Sequence, residues 1–89
     1  MNIKELYNYA VQEVRQIKLN NEQELEINIR NVKENETIQR EWVSISFMDK
    51  KNECGCSSPC ETAKEVDDAI KHIINNYDVK RTYIQLSLF

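Results

Sequence analysis

Glycine, proline and histidine each occur once in this chain of 89 residues, and that scarcity excludes a good deal. With so few breakers there is no Gly/Ser linker, no proline-rich tract and no internal repeat to divide the chain into two units. The one histidine, His72, lies well along a helix from the nearest cysteine, which argues against a Cys/His catalytic pair. No run approaches the roughly 20 apolar residues needed to cross a bilayer. Basic residues are outnumbered, 12 Lys+Arg against 15 Asp+Glu, and the net charge of −3 opposes direct binding to nucleic acid.

What remains is the composition of a folded soluble domain, 40% hydrophobic and 30% charged. A chain this short supports a single core, so one domain is expected over residues 1–89. The opening MNIKELYNYAVQEV interleaves charges with apolar residues where a signal peptide needs an unbroken apolar core, so a cytoplasmic address is expected. In that compartment the three cysteines stay reduced.

Hydrophobic period then assigns the elements. Asn2 with Glu5 offers a capping box, and Ile3, Leu6, Tyr7, Ala10, Val14 and Ile17 form a helical stripe through about Lys18. After Asn20-Asn21 the pattern alternates: Leu25, Ile27 and Ile29 point one way, Glu24, Glu26, Asn28 and Arg30 the other. A polar turn over Lys33–Thr37 leads to a second strand with Val43, Ile45 and Phe47 inward and Trp42, Ser44, Ser46 and Met48 outward. A cysteine loop follows. It feeds a second helix whose start is either Ser58-Pro59-Cys60-Glu61 or Thr62-Ala63-Lys64-Glu65, and whose stripe is Val66, Ala69, Ile70, Ile73, Ile74 and Tyr77. Arg81–Phe89 alternates again and predicts a third strand. The expected fold is α+β, in the order α-β-β-α-β, with two helices on one face of a three-stranded, mainly antiparallel sheet.

No catalytic signature is present, and a non-enzymatic role is expected. Three features bear on function. Cys54, Cys56 and Cys60, spaced C-x-C-x3-C, place three soft ligands in one loop that suits Zn²⁺ or Cu(I), with His72, Glu53 or Asp49 as a fourth donor. The same loop gives a thiol-redox alternative, since a first-turn Cys60 would feel the helix dipole. The plainer alternative is a reduced loop whose Cys60 packs at the helix start.

Carboxylates at Glu22, Glu24, Glu26, Glu34 and Glu36, with Asp67 and Asp68 on the second helix, give either a solvated surface or an anionic face for a basic protein partner such as a nucleic-acid-binding protein. Trp42, Met48, Tyr83 and Phe89 would lie on the uncovered sheet face, where aromatics and methionine favour a partner. Trp42 packed across the strand on Arg30 or Tyr83 is the structural alternative. A homodimer through open faces or strand edges is a further expectation.

The opening MNIKELYNYA, the acidic hairpin EQELEINIRNVKENET and the closing TYIQLSLF together resemble small phage or mobile-element inhibitors of the anti-CRISPR type. The resemblance implies a protein without enzyme chemistry whose carboxylates imitate DNA phosphate at an arginine-rich site of a CRISPR effector. It departs from that style in the cysteine loop and carries no individual residue across.

Overall fold

The computed structural model describes residues 1–81. Helix α1 spans Ile3–Glu13, followed by strands β1 (Ile17–Lys18), β2 (Gln23–Glu34), β3 (Thr37–Asp49) and β4 (Cys54–Cys60), helix α2 (Ala63–Asn76) and strand β5 (Lys80–Arg81). β2, β3 and β4 form an antiparallel sheet in that order, and β1 pairs with β5 in a separate two-stranded ribbon.

Local chemistry sets the helix ends. At α1 the Asn2 side chain accepts from the Glu5 amide (2.8 Å) and Glu5 accepts from the Asn2 amide (3.2 Å), the expected reciprocal box. The helix is shorter than the stripe suggests, because Val14–Gln16 tightens into a 3₁₀ turn and Ile17 continues as strand, buried against the core. Of the two starts foreseen for α2, Thr62 is the cap: its hydroxyl accepts from the Glu65 amide at 3.2 Å. Ser58, Pro59 and Cys60 belong to β4 instead.

That reassignment is the main correction. The cysteine segment is a strand rather than a loop, and it supplies the third strand of the sheet. Cys54, Cys56, Ser58 and Cys60 stand opposite Asp49, Phe47, Ile45 and Val43 of β3. Pro59 stands opposite Ser44, at a position whose N–H points away from the ladder, so the edge tolerates it. Of the segment Arg81–Phe89, only Arg81 lies among the described residues, paired with Ile17 of the ribbon; the strand expected through Phe89 otherwise falls outside them.

Both helices pack on one face of the sheet. The core joins Leu6 and Ala10 of α1 and Val66, Ala69, Ile70 and Ile73 of α2 to Val43, Ile45 and Phe47 of β3 and to Cys60. Burying each large aliphatic or aromatic side chain here contributes about 1.5–3 kcal/mol relative to exposure. Leu25 and Ile27 are half-buried at the margin. Ile29, foreseen as inward, is 44% exposed although Val43 opposite it is fully buried, because β2 is the edge strand and its apolar residues lie outside the buried core. Beyond that pair both strands run on with every residue from Asn31 to Arg40 exposed.

The hairpin arm is therefore long. Its tip is a two-residue turn, Asn35-Glu36, with φ of 51° and 67° between the paired Glu34 and Thr37. This two-residue, positive-φ geometry matches the twist of a hairpin and replaces the five-residue turn expected over Lys33–Thr37. The register shifts once, between Val32 and Lys33, leaving Gln39 as the extra residue of a bulge. The molecule measures 46 × 38 × 18 Å, one helical layer on one sheet.

Candidate functional site

Among the described residues nothing covers the second face of the sheet. Register places Glu24, Glu26, Asn28 and Arg30 of β2 beside Met48, Ser46, Ser44 and Trp42 of β3. Gly55, Ser57 and Pro59 of β4 complete that face. The serines knit its centre: Ser57 Oγ lies 3.3 Å from Ser44 Oγ and 3.0 Å from Ser46 Oγ.

At one end this face sinks into a groove of about 750 Å³, lined by Glu24, Glu26, Ser46, Met48, Glu53, Cys54, Gly55 and Ser57 among others. The chain's one glycine shapes it. Gly55 stands opposite Met48, and a Cβ at position 55 would fall on the Phe47 carbonyl oxygen. Removing that side chain lets β4 approach β3 and leaves a hollow beside Met48, which is 51% exposed.

The rim is acidic. Glu24 pairs with Lys50 at 2.7 Å, and the contact holds the Lys50 amine above its ordinary pKa. Glu26 accepts from the Asn28 amide group at 3.1 Å, and neither Glu26 nor Glu53 forms an ion pair among the described residues. The turn that carries Glu53 is fixed by Asp49, buried at 2% exposure. Its carboxylate accepts from the Asn52 amide (3.0 Å), the Asn52 side chain (2.9 Å) and Gln23 (3.3 Å). Those bonds, led by Asn52, hold the carboxyl below its usual range.

The carboxylates named from the sequence do not form one surface. Glu22, Glu24 and Glu26 sit at the groove end of β2, whereas Glu34 and Glu36 are at the arm tip, roughly 25–30 Å away at the rise of an extended strand. Asp67 and Asp68 are on α2, in the helical layer. Asp67 serves the fold: it accepts from the Tyr9 hydroxyl at 2.7 Å, and that bond, with burial and nearby Glu13, pushes the Tyr9 phenol up to about 12. Asp68 pairs with Lys64 at 3.1 Å. Trp42 is on the open face as expected, with Arg30 across the strand pair and the Arg40 guanidinium 5.2 Å from its ring. Tyr83 and Phe89 lie outside the described residues.

The cysteines are also arranged differently from expectation. Even spacing puts Cys54, Cys56 and Cys60 on the helix-covered face of β4, and an extended strand spreads six residue steps over roughly 20 Å. Three sulfurs do not meet at one point, and among the described residues no group of three His, Cys, Asp or Glu side chains is placed to hold a metal. Cys60 is not in a helical first turn. It is fully buried, and burial, with Glu65 adding, pushes its thiol up to about 11, away from thiolate chemistry. Cys56 meets Tyr77, whose phenol is raised by that contact first and by burial second.

Tyr77 does more than its place in the sequence pattern implies. It continues the apolar stripe of α2, yet its ring lies 4.9 Å from that of Phe47 and its hydroxyl donates to the Gly55 carbonyl at 3.0 Å. Sequence spacing presents Glu53 only as a spare metal donor; the signal of the groove it borders is the lone glycine in an alternating C-G-C-S run. No helix among the described residues is long and apolar enough to cross a membrane. No protein-family model matches the chain, and comparison with curated proteins and with solved structures gives no match.

Proposed function

We propose that this chain is a non-enzymatic interaction protein that acts in the cytoplasm and holds a basic, extended segment of a partner protein on its open sheet face. The observation that carries this reading is the groove beside Gly55, where exposed Met48 is bordered by Glu24, Glu26 and Glu53. A thioether floor accepts apolar stems, and Glu26 and Glu53, which form no ion pair among the described residues, select lysine or arginine heads beside the Glu24–Lys50 pair. Alternate glutamates along β2 stand roughly 7 Å apart, a row that opposes successive cationic side chains of an extended chain. The most specific form is a host-directed inhibitor that competes with nucleic acid for a basic cleft, in keeping with the resemblance to phage and mobile-element inhibitors.

The test compares two regions of one molecule. Partner capture from a cytosolic extract should be lost with Glu26→Lys and Glu53→Lys together and retained with Glu34→Lys and Glu36→Lys at the remote tip. Excess duplex DNA should displace the captured protein. Capture that survives the groove reversals, or that fails only with the tip reversals, would remove the groove from the account.

A further inference from the structure

Backbone direction along β2 is fixed by two observations. The Lys50 amide donates to the Glu22 carbonyl at 2.8 Å, so even-numbered residues of β2 turn their main-chain groups toward β3. Pro59, which has no N–H to give, stands opposite Ser44, which agrees with even-numbered residues of β3 facing β2. The N–H and C=O groups of Leu25, Ile27 and Ile29 therefore point outward, and among the described residues no strand pairs with them. From Gln23 to Asn31 the strand is regular, with neither proline nor bulge, until the register shift after Val32.

We propose that this edge pairs with the same edge of a second copy of the chain, antiparallel and centred on Ile27, giving a two-fold dimer with a continuous six-stranded sheet. The regular stretch is itself symmetric about that residue. Centring on Ile27 brings outward main-chain groups of one copy against outward groups of the other, as a ladder requires. On the open face it sets Glu24 of each copy opposite Arg30 of the other; on the helix face it sets Leu25 opposite Ile29. Ile29, 44% exposed in the single chain, gains a cover. Sliding the register by two residues one way opposes Glu26 with Glu26, and the other way puts Leu25 opposite Asn31. The second slide still sets Glu26 against Arg30 and Ile27 against Ile29, so what singles out the centred register is that it alone gives Leu25, Ile27 and Ile29 each an apolar partner while also pairing Glu24 with Arg30.

Sedimentation equilibrium on the full chain tests this directly. A species of twice 10.6 kDa should grow with concentration. Arg30→Glu and Glu24→Arg, both at exposed positions, should each weaken self-association about tenfold by placing like charges opposite one another twice. The double exchange Glu24→Arg with Arg30→Glu should restore it, and circular dichroism should show all three variants folded. A chain that stays monomeric at every concentration overturns the proposal, as does a dimer indifferent to Arg30→Glu. A double exchange that fails to recover overturns the register.

Discussion

The two edges of the sheet are finished by different means. β4 is closed chemically: Pro59 offers no N–H at the rim, and the Gly55 carbonyl is taken by the Tyr77 hydroxyl. Among the described residues β2 carries no such device between Gln23 and Asn31, and no strand pairs with its outward groups at Leu25, Ile27 and Ile29. Sheets generally block edges they do not use. In the proposed dimer β4 is the boundary of the fold and β2 the place of association.

The largest expected effect comes from forcing the closed edge apart. Gly55→Val drives a side chain against the Phe47 carbonyl and should cost about 1–3 kcal/mol in urea unfolding, with loss of the groove. Tyr77→Phe removes the cap on Gly55 and the hydroxyl's contact with Cys56 while keeping the ring on Phe47; about 0.5–1.5 kcal/mol should be lost, with faster exchange of the β4 amides. At the hairpin tip, Glu36→Gly relieves a left-handed φ of 67° and should raise stability by about 0.5–1 kcal/mol without altering either edge. The thiols give the mildest probe. Because Cys60 is buried and its thiol is pushed up to about 11, an alkylating reagent at pH 8 should label Cys54 and Cys56 first, and Cys60 only on unfolding. Early labelling of Cys60 would mean that β4 is not seated as described.

Strong periodicity made most of the fold legible. The stripes of Leu6–Ala10 and Val66–Ile73, and the alternation of Leu25–Ile29 and Val43–Phe47, state which side of each element is buried, and both helices do lie on one face. Cys54–Cys60 was harder to read because Ser58-Pro59-x-Glu61 satisfies the chemistry of a helix start. What decides against it is tertiary: Cys60 fills the space opposite Val43, and Thr62 provides an equally good cap one turn later. Even spacing of the cysteines and a proline suited to an edge were the signals of a strand. Which carboxylates share a surface was not legible, since that depends on how far the arm runs beyond the helices, and only register and burial reveal it. The outcome splits Glu24 and Glu26 from Glu34 and Glu36, and places Asp67 on the helical layer, hydrogen-bonded to Tyr9.

Hydrogen exchange along β2, followed residue by residue in a dilute sample, tests the open edge most directly. Amides of Glu24, Glu26, Asn28 and Arg30, bonded to β3, should be protected, while those of Leu25, Ile27 and Ile29 exchange fast, a strict alternation along one strand. Equal protection of both sets in a monomer would mean that something within the chain already occupies this edge, contradicting the asymmetry on which the account rests.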